Sequence, residues 1–232
     1  AVAGTSVGAL NGALICMGDV EKAEKIWNEM TFSRVMDVDD EWMEKLFQKE
    51  TSIREFLKES GKKLRDGGVD VTPLRNLIHE TVDEEAIRNC GKEFCLLTFS
   101  VSEFRELDLS IEDIPEGLLE DFLLASAYLV GFKNERIQGK KYIDGGVVNN
   151  VPLNSLVKRG YEDIIEVRIY GPGREPHVKM PEEGEKLEIA PRVKLGSIIE
   201  FSKKRSRQNL VIGYYDACRV LYGLEGTIDY LE

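Results

Sequence analysis

A chain of 232 residues, 42% hydrophobic and 31% charged, is long enough for one domain with a sizeable core and has the composition of an ordinary globular protein. Its formal net charge of -11 argues against nucleic-acid binding, which needs clustered Lys and Arg, and against simple electrostatic adsorption to an anionic membrane. Cys16, Cys90, Cys95 and Cys218 form no CxxC pair, so no zinc site is expected, and free thiols favour a reducing, cytoplasmic setting.

No apolar run approaches the ~20 residues of a membrane span, and no signal segment is visible. The chain opens Ala-Val-Ala-Gly without Met, which reads as a fragment or a processed product. Ala1 to Ala3 predict the end of a buried strand, Gly4 to Gly8 a turn, and Ala9 to Ile15 a helix of small and apolar residues suited to close packing on a sheet. Residues 20–60 are helical in pattern, with Ile26, Trp27 and Met30 on one stripe, Leu46 and Phe47 on the next, and Gly61 as the stop. Asp66-Gly67-Gly68 predicts a turn. Thr72-Pro73 predicts an N-cap with Pro at the first helical position, followed by the stripe Leu74, Leu77 and Ile78.

Phe94 to Val101 predicts a buried strand and Arg105 to Leu109 an edge strand. Pro115 opens a helix reaching Ala127. Lys141 to Ile143 form a short strand ending at Asp144-Gly145-Gly146. Asn154 is placed to cap a helix that Gly160 ends, Ile164 to Ile169 form a second apolar strand, and Ser197 to Leu221 are largely helical. Lys203, Lys204, Arg205 and Arg207 read as a solvated helix face, with contact at a lipid surface as the alternative. Strands alternating with helices predict an α/β domain with a mainly parallel sheet.

Gly4-Thr5-Ser6-Val7-Gly8 matches G-x-S-x-G, the pattern of a nucleophile held on a tight strand-to-helix turn. The backbone there is strained, so the residues two before and two after the Ser are expected to be small, because a Cβ would collide with the neighbouring strand or helix. The helix behind Ser6 aims N–H groups at the site, and the Val7 N–H is the natural first oxyanion donor. Three fixed positions recur by chance in about one chain in ten of this length, so the flanking strand and helix carry the argument.

A serine hydroxyl needs a base. His79 lies on an ordinary amphipathic helix and His177 in the loop Gly173-Arg174-Glu175-Pro176-His177, neither of which suggests a triad. Asp144 ends a strand and is followed by two glycines that permit a sharp turn and close backbone approach; Asn149-Asn150-Val151-Pro152 then offers side chains that can fix the loop.

Gly-Thr-Ser-Val-Gly-Ala-Leu-Asn-Gly-Ala at 4–13, Leu-Ala-Ser-Ala at 124–127 and Ile-Gln-Gly-Lys-Lys-Tyr-Ile-Asp-Gly-Gly-Val-Val-Asn-Asn-Val-Pro-Leu at 137–153 resemble segments of patatin-like phospholipases, in the family's order and spacing. The resemblance implies a three-layer α/β/α fold with a mainly parallel central sheet. It implies a Ser–Asp dyad with no catalytic His: Ser6 as nucleophile and Asp144 as base, within the motif residues Gly4, Thr5, Gly8, Gly145 and Gly146. No metal or cofactor is implied. The implied partner is a fatty-acyl ester such as a phospholipid, lysophospholipid or glyceride, met through transient contact at a membrane surface. Apolar helices between 20 and 60 either line an acyl groove or pack the core.

The family places a Gly-rich oxyanion loop after its first strand, ahead of the elbow. Residues 1–232 are therefore expected to be a single patatin-like domain lacking that strand and loop. Gly171-Pro172-Gly173 is a poor substitute because Pro has no N–H. Tyr128 to Phe132 lacks the Pro common in this part of the family. Two rival readings are an α/β-hydrolase esterase with His177 as base, and an inactive lipid- or protein-binding module.

Overall fold

The computed structural model describes residues 1–47 and 67–223. The expected helix over 48–60, its stop at Gly61, and Asp66 of the Asp66-Gly67-Gly68 turn lie outside the described residues. The elements run β1 (Val2–Thr5), α1 (Val7–Met17), α2 (Val20–Asn28), α3 (Asp40–Phe47), α4 (Thr72–Thr81), α5 (Glu84–Arg88), β2 (Phe94–Ser100), β3 (Arg105–Ser110), α6 (Leu119–Ser126), β4 (Tyr142–Asp144), α7 (Leu153–Lys158), β5 (Ile164–Val167), β6 (Lys186–Ile189) and α8 (Lys203–Tyr222).

The organising strand is β2. Its run Phe94-Cys95-Leu96-Leu97 is buried on both faces, which is why it reads as continuously apolar rather than alternating. β1 pairs with it in parallel, and β3 and β4 pair with it antiparallel. The sheet is therefore mixed, with its parallel pairing between β1 and β2, and β3 takes an edge as its alternating sequence predicts. Phe94 faces the helix α1, where a Cβ on Gly12 would come within 3.1 Å of its ring, so the small residues of α1 do permit the close approach expected of them. On the same face the Thr98 hydroxyl donates to the Ala125 carbonyl of α6 at 3.3 Å. Cys95 faces the opposite layer, where Ser155 of α7 and Arg159 influence its thiol. These two helical layers around the sheet make the three-layer α/β/α arrangement.

Phe32, Met36, Met43 and Phe47 are buried in the main core with Phe94, Leu96, Leu119 and Leu123, so these apolar residues of the 20–60 region pack the interior. All four cysteines are free, and burial pushes the Cys16 thiol up to about 12 and the Cys95 thiol to about 11.

Several boundaries move for identifiable reasons. The elbow is tighter than a five-residue turn: β1 runs through Thr5 and α1 begins at Val7, leaving Ser6 alone between them. Thr72 is inside α4 rather than its cap, because Asp70 Oδ1 takes the Thr72 N–H at 2.8 Å and shifts the N-cap to Val71. α6 starts at Leu119, not Pro115, because the Glu84 carboxylate accepts the N–H groups of Gly117 and Leu119 while Arg88 donates to the carbonyls of Ile111 and Ile114. Asn154 does not cap α7; it lies within the helix and its Oδ1 accepts from Asn149 Nδ2 at 2.7 Å. α8 begins at Lys203 behind the N-cap Ser202, so Ser197 to Ser202 stay irregular.

β5 and β6 form a separate parallel pair, and β5 does not behave as an apolar buried strand throughout. Ile165 and Val167 are exposed while Glu166 is buried, because Lys186 and Arg168 ion-pair with Glu166 on the inner face. On the α7 side, Arg159 bridges Glu93 and Asp108 at 3.0 Å each, tying α7 to β3 and to the entry of β2. Removing one partner of such a largely buried pair strands the other charge. Arg159→Met is expected to lower the unfolding free energy by about 3 kcal/mol in chemical denaturation.

Candidate active site

Two strands meet head-on along one edge of β2. β3 occupies one edge from Cys95 to Ser100, so β1 and β4 share the other. β1 advances until Thr5 lies opposite Leu97, and β4 comes the other way until Asp144 lies opposite Thr98. Neither chain can continue in line, so both must leave the sheet at the same point.

β1 leaves through Ser6, whose φ of 56° and ψ of -125° lie outside the regions a non-glycine residue ordinarily adopts. Such a conformation costs of order 1–3 kcal/mol and persists only where its surroundings impose it. Gly4 makes the elbow sterically feasible: a Cβ there would lie 2.3 Å from the Gly8 carbonyl carbon and oxygen. Gly8 differs from the expectation, because a Cβ at that position meets nothing within 4 Å. The elbow folds the start of α1 back over Gly4, so the steric requirement falls on the first glycine alone. Ser6 is the N-cap residue of α1, yet its side chain makes no capping hydrogen bond. The hydroxyl is thus not consumed by its own helix. The Val7 N–H, in the first turn, has no intrahelical acceptor.

β4 leaves through Asp144-Gly145-Gly146. A Cβ on Gly145 would lie 2.6 Å from the Leu97 carbonyl oxygen and 3.0 Å from Thr5 Cγ2, so only glycine fits. Asp144 is 4% exposed. Its Oδ1 accepts the Gly146 N–H at 2.7 Å, and its Oδ2 is sealed from solvent without a well-formed hydrogen bond. Burial pushes the carboxyl above its ordinary value, while the Ser6 hydroxyl and the Gly146 N–H, which favour the ionised form, pull it part of the way back. The structure thus brings Ser6, Val7 and Asp144 to one place.

The loop after the turn is fixed as its Asn residues suggest. The Thr5 hydroxyl donates to the Asn149 carbonyl at 3.0 Å, and Asn150 Nδ2 donates to the Gly171 carbonyl at 3.0 Å. Gly171-Pro172-Gly173 has a role that spacing did not reveal. The Arg174 N–H donates to the Gly146 carbonyl, and the Asn150 N–H donates to the Arg174 carbonyl at 2.6 Å, clamping this loop onto the Asp-Gly-Gly turn. Among the described residues neither histidine hydrogen-bonds to Ser6. His79 pairs with Glu120 and is 77% exposed, and His177 lines a charged cavity of about 320 Å³ with Glu166, Arg168 and Lys186.

Sequence reasoning also missed Ser126. It is fully buried; its Oγ accepts the Ser6 N–H at 2.8 Å and donates to the Leu97 carbonyl at 2.5 Å. One hydroxyl therefore ties the elbow to β2 from the end of α6. The signal was present in the Leu-Ala-Ser-Ala segment, but nothing in its spacing says what the Ser does.

A family model for patatin-like phospholipases matches residues 1–157. The chain belongs to that family, one of lipid acyl hydrolases, and the three-layer α/β/α fold is the family's. A comparison with curated proteins finds no match.

The two glycines of the elbow are expected to separate in mutagenesis. Gly4→Ala forces backbone apart and leaves little folded protein by circular dichroism, whereas Gly8→Ala folds normally. Ser126→Ala removes the acceptor of the part-buried Ser6 N–H and the hydroxyl that donates to the Leu97 carbonyl, and lowers stability by about 2 kcal/mol in urea titration.

Proposed function

We propose that the chain is a serine lipid acyl hydrolase in which Ser6 is the nucleophile and Asp144 its base. The observation that carries this reading is the head-on meeting of β1 and β4, which sets a strained serine, free of capping duty, beside a buried carboxylate. Asp144 takes the Ser6 proton as the hydroxyl oxygen attacks an ester carbonyl. The oxyanion rests on the Val7 N–H and the positive end of α1. Collapse of the tetrahedral adduct expels the alcohol, which takes up the proton from Asp144. Water then gives its proton to Asp144 and attacks the acyl-enzyme. The fatty acid leaves and Ser6 is restored. The substrate class is fatty-acyl esters: phospholipids, lysophospholipids or glycerides. Losing one oxyanion donor generally costs about 10²–10³ in rate, so full activity needs a second donor besides Val7, which the family resemblance assigns to a Gly-rich loop ahead of the elbow.

A raised carboxyl pKa has two opposed consequences. For catalysis, Asp144 must be ionised, so activity falls as pH drops through its raised value. The acid limb of kcat/KM on a soluble ester is therefore expected above the ~3.9 of an ordinary Asp. For stability, a group whose folded pKa is raised favours the folded state below its unfolded value, and that contribution is lost as pH rises through the folded value. At neutral pH the ionised carboxylate opposes folding. Asp144→Asn is expected to reduce hydrolysis at least ~100-fold while raising Tm at pH 7, with the Tm difference closing in acid. A fluorophosphonate probe is expected to label the wild type and not Ser6→Ala; labelling that survives this substitution overturns the assignment of the nucleophile.

A further inference from the structure

The β2–β3 turn stands beyond the C-terminal end of β2, three residues past the Thr98 that faces Asp144, or about 10 Å along the strand. It presents an aromatic ring to solvent. Phe104 is 85% exposed and sits at φ 51°, a conformation unusual for an aromatic residue, with its ring braced edge-on against Phe99 at 5.6 Å. Val101 beside it is 43% exposed. The turn is bound to the segment leading into β4: the Val101 N–H donates to the Lys141 carbonyl at 2.9 Å, and the Lys141 N–H to Ser102 Oγ at 2.9 Å. Further along that connection Val130 is 65% exposed, two residues from the Tyr128 carbonyl that accepts the Asp144 N–H at 2.8 Å.

This end of the molecule is also basic. Residues 101–105 and 133–141 carry five cations (Arg105, Lys133, Arg136, Lys140 and Lys141) against Glu103 and Glu135, and Lys133 pairs with Asp70 at 3.8 Å, which leaves a local +2 in a chain of net -11. The two acids are engaged, Glu103 with Lys140 and Arg105, and Glu135 with Arg75. Arg136 bonds to the Gly139 carbonyl of its own loop, and Lys141 is exposed and makes no ion pair with a carboxylate among the described residues. The other basic stretch differs. In α8, Arg205 pairs with Glu200 and Arg207 donates to the Asn28 carbonyl, leaving Lys203 and Lys204 exposed.

We infer that the turn around Phe104 and the basic segment 133–141 form a docking surface for an anionic phospholipid membrane. The charge distribution argues for that partner. A surface of negative potential repels the acidic bulk of the protein and attracts this one end, so approach is oriented with the Ser6–Asp144 end inward. Each Lys or Arg near such a surface is worth about fivefold in binding. Phe104 and Val101 add an apolar anchor at the depth where acyl esters begin. Among the described residues no helix is long and apolar enough to cross a membrane. Its purpose rests on the acyl-hydrolase reading, but docking is measurable without turnover.

The test is flotation of the full chain with vesicles of phosphatidylcholine containing 30% phosphatidylglycerol, and with phosphatidylcholine alone, beside hydrolysis of soluble 4-nitrophenyl butyrate. The wild type is expected to float with the anionic vesicles and to lose this at high salt. Phe104→Ser is expected to weaken partitioning about tenfold. Arg136→Glu with Lys141→Glu is expected to weaken it at least as much and to remove its dependence on phosphatidylglycerol. Both variants should hydrolyse the soluble ester within twofold of wild type, and Lys203→Glu with Lys204→Glu should float normally. Absence of wild-type flotation, undiminished flotation of the two rim variants, or loss confined to the α8 variant overturns the inference. Flotation with no soluble esterase activity supports the docking surface and counts against the hydrolase reading instead.

Discussion

β1 and β4 advance toward each other along the same edge of β2, and the space between Leu97 and Thr98 cannot hold both. That collision governs the rest of the site. It drives Ser6 into its strained conformation, forces the turn at Gly145, and presses the two departures together so closely that Gly145 lies against Thr5 and Leu97. The strain is held by three anchors from distant parts of the chain: Ser126 on the elbow amide, Asn149 on Thr5, and the Arg174 backbone on Gly146. Each satisfies a backbone or hydroxyl group that would otherwise be buried without a partner, so positioning and hydrogen-bond satisfaction are achieved by the same contacts.

The environment of Asp144 shows stability and reactivity pulling in opposite directions. A carboxylate with several good donors would be more comfortable in the fold but would have little tendency to take a proton. Here one oxygen is held by Gly146, and the Ser6 hydroxyl beside the buried carboxylate offsets only part of the cost of burial. Burial raises its proton affinity, which suits a base.

Much of this was legible in the sequence, and what was not has a physical reason. The elbow, the turn at Asp144 and the buried strand β2 announce themselves through local patterns, since glycine spacing and continuous apolar runs reflect sterics within a few residues. Ser126 and the 171–174 loop were illegible because their roles are tertiary: an Oγ reaching Ser6 across 120 residues leaves no periodic trace. Gly8 was misjudged because a motif glycine was assumed to be steric, when the fold places open space there. Helix starts at Thr72 and Pro115 moved because the competing acceptors, Asp70 and Glu84, come from outside the helices they end. The buried Glu166 of β5 broke the apolar reading because its compensating cations lie on β6 and at the strand's own end.

The Ser126 hydroxyl has a consequence for how the chain folds. It joins Ser6 to Leu97 through a residue 120 positions from one and 29 from the other, and Asp144 arrives later still in the chain. No local segment can tie Ser6 to Leu97 alone, and contacts of such separation are slow to form because the loops they close are long. The elbow amide therefore reports on assembly: its protection from hydrogen exchange appears only after α6 has docked beside β1 and β2. A partly folded chain, with its apolar strands still uncovered, leaves the Ser6 amide without its anchor.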